Sequence, residues 1–300
     1  MNVFLTGASG YIGGAVAQAL IRLGHTVRGL TRSATSADQL ERAGVHPVAG
    51  DLDNIQLLTR ESARADVVIN AANADHRGAV EALIAGLQGS GKALIHTSGI
   101  SIIGDDARGN ALCDAVFSEA TPLQVDPRKQ ARRDIDLLVL DAARLNVRSV
   151  VIVPSLVYGV GAGLHRHSIQ IPFLAQNAQR AGAVQIVGRG VNVWSNVYID
   201  DLVDLYCLAC QKAPAGALYF AENGEASFAD VAQALSTRLR IASIQPLDAQ
   251  VAVERWGMAR ALFTYGSNCR VRAVRARSEL GWSPRGPALK DWILSATELY

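Results

Sequence analysis

The chain reads as an α/β fold of the doubly wound, Rossmann-like kind: a parallel sheet with helices on both faces, followed by a small C-terminal α/β lobe. Three observations predict it. Short apolar runs alternate with helix-period segments through the first half of the chain. The first of these runs enters a glycine-rich turn that opens a helix. After Pro154 the alternation gives way to glycine-rich loops, two histidines and short elements.

Each element follows in order. The runs Asn2–Thr6, Thr26–Leu30, Val45–Ala49, Val67–Asn70, Ala93–Thr97 and Arg148–Val153 are nearly continuous in apolar residues. That is the pattern of strands buried on both faces. Between them, Tyr11–Leu23, Ala37–Arg42, Ile55–Ser62, Arg77–Leu87 and Arg128–Leu145 carry helical spacing. The last has a stripe at Ala131, Ile135, Leu138, Ala142 and Leu145. Asp126-Pro127 supplies its N-cap and a first-turn proline. Gly99 to Val125 has no period and reads as a long loop, a common home of function. Leu202–Lys212 reads as a helix and Ala217–Ala221 as a strand that returns to the sheet.

Composition bounds the function. With 49% hydrophobic and 19% charged residues over 300 positions, global disorder is excluded. A net charge of +2 argues against a nucleic-acid binder, and no apolar run reaches the length of a membrane helix. Met1 leads straight into a strand, so no signal peptide is expected. Four cysteines make no disulfide framework, and a cytoplasmic location follows as the expectation. The expected partner is a small-molecule substrate, and the expected state a homodimer or a monomer. Cys207 and Cys210, three apart on one helix, read as small buried hydrophobes. His165-Arg166-His167 has no further ligand nearby and reads as surface loop; no metal site is expected. The basic run Arg270–Arg277 is expected to interlock with Glu279 and other acids.

The glycine turn, Gly7-Ala8-Ser9-Gly10-Tyr11-Ile12-Gly13, carries the first chemistry. Gly7 permits the tight exit from the strand, Gly10 lets backbone approach a pyrophosphate, and Gly13 lets helix pack on strand. The helix start then faces the anion. At the end of the second strand stands Thr31-Arg32-Ser33, with no acid before Asp38. An acid there would bind a ribose 2′-hydroxyl, whereas an arginine accepts a 2′-phosphate, so NADP(H) is favoured over NAD(H).

Thr6-Gly7-Ala8-Ser9-Gly10-Tyr11-Ile12-Gly13 resembles the T-G-x-x-G-x-x-G motif of the extended short-chain dehydrogenase/reductases, the epimerase/dehydratase-like branch. Other matches follow in order. Gly50-Asp51-Leu52 looks like the adenine-contacting turn, and Asn70-Ala71-Ala72 like the segment after the fourth strand. Val153-Pro154 and Val157-Tyr158-Gly159 resemble the "R-P…V-Y-G" stretch. Val197 to Leu202 and Leu280 to Pro284 resemble two later signatures. The resemblance implies a dinucleotide-binding part from residues 1–154 and 192–224, and a substrate lobe from 155–191 and 225–300. It implies cofactor contacts from the glycine turn, Asp51, Leu52, Asn70, Ala71, Ala72, Thr97 and Pro154, and substrate contacts from Trp194, Asn196 and Tyr198.

One part of the family pattern is absent. Its Tyr-x-x-x-Lys pair moves the substrate proton and holds the nicotinamide ribose, with a Ser or Thr positioning the carbonyl. None of the seven tyrosines here has lysine four residues on. Counting back from Pro154, Arg128 stands at the tyrosine position and Arg132 at the lysine position. Lysine is scarce throughout: Lys92, Lys129, Lys212 and Lys290 are all there are. Arginine stays protonated, so Arg128 cannot serve as an acid near neutral pH, but it can clamp an anion. It is expected to point into the cleft beside Ser98 and Ser101, with Arg132 on the cofactor. The alternative is a solvated helix face with Arg132 and Asp136 paired at i,i+4. Ser98, Ser101 and Tyr158 are the candidate proton donors. Trp194 and Leu156 replace the arginine and asparagine by which the branch handles sugar diphosphates, so a smaller or more apolar substrate is expected. The overall expectation is an NADP(H)-dependent oxidoreductase or epimerase/dehydratase-like protein; the alternative is a non-catalytic NADP(H)-sensing module.

Overall fold

The computed structural model describes residues 1–300. Seven parallel strands make the central sheet: β1 (Asn2–Thr6), β2 (Thr26–Thr31), β3 (His46–Ala49), β4 (Val67–Asn70), β5 (Ala93–Thr97), β6 (Arg148–Pro154) and β10 (Ala217–Ala221). Their spatial order is β3-β2-β1-β4-β5-β6-β10. The order reverses between β1 and β4, which opens a crevice at the carboxyl ends of those strands. The register aligns Thr6 with Asn70 and Asn70 with His96, so three polar side chains stand side by side, buried beneath the crevice.

Helices α1 (Tyr11–Arg22), α2 (Ala34–Arg42), α3 (Ile55–Ala63), α4 (Arg77–Leu87) and α5 (Gln130–Asp141) connect the first six strands. Ser33, Asn54 and His76 cap α2, α3 and α4 by accepting first-turn amides, which is why those helices start where they do. The expected 128–145 helix is divided. Its ends, Pro127–Lys129 and Ala142–Leu145, are tighter 3-10 turns around α5. The buried face is Ile135, Asp136, Val139 and Ala142, while Ala131 and Leu145 of the predicted stripe are exposed.

The later half adds β7 (Leu156–Tyr158), α6 (Gln170–Ala181), β8 (Val184–Val187), β9 (Val193–Tyr198), α7 (Ile199–Lys212), β11 (Gly224–Ser227), α8 (Phe228–Leu239), β12 (Ile244–Leu247) and α9 (Ala249–Trp256). β9 lies between β7 and β11 in a small sheet of its own, and β8 pairs with β12. The strand at 193–198 is therefore outside the central sheet, although α7 and β10 after it return there as expected. Arg270, Arg272, Arg275 and Arg277 each pair with Glu222, Glu225 or Glu279, the interlocking expected of that basic run. No helix is long and apolar enough to cross a membrane.

Candidate functional site

The turn after β1 is built on close approach. Gly7 has φ +76, and a Cβ there would lie 2.5 Å from the Ala71 carbonyl oxygen. A Cβ on Gly13 would collide with the Gly7 carbonyl. The N-cap of α1 is Gly10, which has no side chain to occupy the first-turn amides, so they stay available to an anion. Beneath the turn, Thr6 Oγ1 donates to Asn70 Oδ1 at 2.6 Å, which ties β1 to β4.

Two cavities flank this turn. A groove of about 880 Å³ runs from Gly7 and Ser9 past Arg32, Ser33, Asp51 and Ala72. Arg28 is tied to Glu61, whereas Arg32 is exposed and no carboxylate pairs with it. Asp51 spends Oδ1 on the amides of Asp53 and Asn54, so its carboxylate shapes the turn. Leu52 lines the groove with it, and His76 closes the rim by a 3.0 Å contact to Asp53. A glycine cradle and uncapped first-turn amides fit the pyrophosphate of a dinucleotide.

The second cavity, of about 320 Å³, lies where Ile12, Ser98, Ser101, Pro154 and Trp194 meet. Ser98 Oγ donates to Asp136 Oδ2 at 3.0 Å behind the pocket wall. Asp136 is fully buried, and burial pushes its carboxyl up to about 6. Its Oδ1 has no partner and stands 3.9 Å from His96 Nε2, which has none either. Asn70 accepts from Thr6 with its oxygen, so its amide nitrogen donates to His96 Nδ1 at 3.0 Å. That assigns the neutral imidazole proton to Nε2. Burial holds His96 down at about 4, so it stays neutral.

Several expected residues are placed elsewhere. Arg128 does not enter the pocket. Asp126 accepts from its amide at 2.8 Å and from its guanidinium, which also lies 4.6 Å from the centre of the Phe263 ring, and half of its side chain is solvent-exposed. Arg132 lines the pocket, but it pairs with Asp75 at 2.7 Å and not with Asp136. Tyr158 is fully buried beneath Trp292 and Tyr198, with its hydroxyl on the Pro287 carbonyl, and burial pushes its phenol well above the ordinary range. It cannot donate a proton to the cleft. Thr97 turns away to the Tyr206 hydroxyl at 2.5 Å, on α7. Asn196 is buried in the small sheet, and Tyr198 packs against Gly159 and Gly286, so neither reaches the pocket. Tyr11 donates to the Gly159 carbonyl at 2.9 Å, fastening the turn to the later half.

Other residues were not foreseen. Lys129 lines the pocket, with Nζ 4.3 Å from the centre of the Phe263 ring that Arg128 also stacks on. Burial lowers its pKa. Phe263 and Thr264 come from a π-helical turn at Ala261–Tyr265, a form frequent at functional sites. The signal for Lys129 was present: it is one of four lysines and neighbours the predicted position. Phe263 left no trace in local pattern, since the contact joins residues over a hundred positions apart.

Residues 3–219 match the model of the NAD dependent epimerase/dehydratase family. Among curated proteins, the oxidase ucsJ of an Acremonium species is 33% identical over 96% of this chain and 94% of its own length. A 2-alkyl-3-oxoalkanoate reductase of Stenotrophomonas maltophilia is 28% identical over 75% of this chain and 71% of its own. Among solved structures, the dTDP-glucose 4,6-dehydratase DesIV of Streptomyces venezuelae, with NAD bound, superposes with a TM-score of 0.78 over 98% of this chain and 95% of that one, at 18% identity. With a glycine cradle at the switch point of the sheet and a family match over more than two thirds of its length, the chain belongs to the NAD-dependent epimerase/dehydratase family.

Proposed function

We propose that the protein is an NADP(H)-dependent oxidoreductase acting on a small carbonyl or hydroxyl compound. One observation carries the reading: a single glycine turn faces both cavities, with Gly7 and Ser9 on the groove beside Arg32 and Ile12 on the pocket of Ser98 and Ser101. A dinucleotide lying over Gly10 spans the two. When bound, the cofactor supplies hydride chemistry. The chain supplies the rest. Arg32 and the Ser33 hydroxyl hold the 2′-phosphate end. Ser98 and Ser101 hold the substrate oxygen. Below about pH 6, where Asp136 is protonated, its carboxyl donates to Ser98 Oγ instead of accepting from it, and a proton leaving Ser98 Oγ is then replaced from Asp136. Asp136 is then left as the carboxylate until solvent protonates it again through Ser98.

The relatives named reductase and oxidase agree with this class. The sugar nucleotides of the structural neighbours are not carried over, because about 320 Å³ walled by Trp194 suits a smaller substrate. The test is calorimetric titration with NADPH and NADH, followed by turnover of a panel of small ketones and aldehydes read by nicotinamide absorbance. No binding of either dinucleotide would sink the proposal. Tight binding with no turnover of any compound would favour the sensing module instead.

A further inference from the structure

We infer that Lys129, seated on the face of Phe263, is an anion subsite, and that the substrate carries a carboxylate. The inference rests on the oxidoreductase reading above and names its substrate class. Three cations stand near the pocket. Arg128 is neutralised by Asp126 and Arg132 by Asp75. Lys129 alone has no carboxylate partner, and its Nζ lies over the Phe263 ring at 4.3 Å. An ammonium drawn half out of water on an aromatic face keeps part of its desolvation cost uncompensated. An arriving anion recovers it.

The surroundings choose among anions. The rest of the wall is mixed, with Ile12, Ile100, Val157 and Trp194 beside the neutral polar groups of Ser98, Ser101, Gln170 and Thr264, so Lys129 is the one charge on it without a counter-ion. One free cation balances one negative charge, so a monoanionic carboxylate fits better than a phosphate dianion. The bidentate pairing of Arg132 with Asp75 withholds the fork that a phosphate would need. The volume of about 320 Å³ is at the small end for ligand sites, enough for a carboxylate on a short or aromatic body. Nothing in this needs Lys129 to give up a proton: it stays an ammonium and orients the substrate, while Ser98 serves the reacting oxygen.

The probes are benzoylformate and benzoylacetate, each against its ethyl ester, titrated calorimetrically into the protein saturated with NADP⁺. The expected result for the wild type is that at least one acid binds tenfold or more tightly than its ester. Lys129→Met should reduce that acid to the affinity of its ester and leave the ester where it was. Lys129→Arg should keep most of the preference. Equal binding of acid and ester, no binding of either acid, or an unchanged preference in Lys129→Met overturns the inference. Loss of turnover for esters as well as acids in both variants also overturns it, since Lys129 would then move the proton. NADPH affinity is measured on every variant. Its absence in the wild type defeats the oxidoreductase reading itself, and its presence with a failed acid preference defeats only the subsite.

Discussion

Arg28 and Arg32 lie on the same strand and at its end, yet their fates differ. Glu61 claims the first, while the second stands free on the groove. Arg32→Ala should therefore weaken NADPH binding by about 1.5 kcal/mol, the lower end for a charged hydrogen bond because the site is open to solvent. NADH binding should hardly move. Calorimetry on both dinucleotides checks this, and equal losses would make Arg32 structural. Asp136 makes a second case. Its folded pKa, near 6, lies above its ordinary value, so the folded state binds the extra proton and the contribution of Asp136 to stability falls as pH rises from about 4 through 6. Asp136→Asn should remove that slope, gaining on the order of 2 kcal/mol relative to the parent above pH 7. The groups facing Asp136 are His96 from β5, Ser98 after it and Arg133 on α5; His96, held neutral down to about 4 when folded but protonated in the unfolded chain below its ordinary value, adds a slope of the opposite sign over this window, and because parent and variant share it the difference between them isolates Asp136. Denaturant unfolding of both proteins at pH 4 and 7 measures the difference; parallel curves would refute the assignment. The Arg128 position shows where single-residue reading stopped. Counting back from Pro154 placed it by the family pattern, but at the 3-10 turn Pro127–Lys129 the next residue, Lys129, lines the pocket while Arg128 pairs with Asp126.

At the scale of elements, the sequence was legible wherever burial on both faces or a cap marked it. β1, β4, β5 and β10 and helix α4 begin and end where the apolar runs do. The glycine turn was legible because the sterics are local. A Cβ on Gly13 meets the Gly7 carbonyl, and neither atom can retreat without moving β1 or α1. Gly13→Ala should destabilise the fold by about 1–3 kcal/mol, as overpacking does, and should abolish dinucleotide binding. Thermal melts with and without NADPH report both effects; a normal ligand-induced shift in this variant would contradict the cradle. The small sheet of β7, β9 and β11 was not legible. Its strands are three to six residues long and come from three distant segments, so no local period announces their pairing. For the same reason the aromatic cluster of Phe173, Trp256, Tyr265 and Phe228, which backs the pocket, was invisible before the chain was folded.

Across the whole molecule, a continuous set of 84 buried residues runs from β1 to Leu299 and joins the central sheet to the later half. The joint is also covalently short and polar. β6 passes into β7 through Ser155 alone, and Tyr11 on α1 donates to Gly159 just beyond β7. The segment after β7 then lies so close to α1 that a Cβ on Gly163 would come within 2.6 Å of Gly14. Two halves bound by one core and by contacts at the glycine turn should unfold together. A ligand that binds the turn should therefore stabilise both. At NADPH one hundred times its dissociation constant, linkage adds about 2.7 kcal/mol. For a chain of this size that raises the melting temperature by roughly 5 °C, at about 2 °C per kcal/mol. Scanning calorimetry should show one transition moving as a whole. Tyr11→Phe should lower it by about 1 kcal/mol, the net worth of one hydrogen bond, without dividing it. Two transitions, only one of which responds to NADPH, would mean that the later half folds on its own and that the turn does not bind the halves into one cooperative unit.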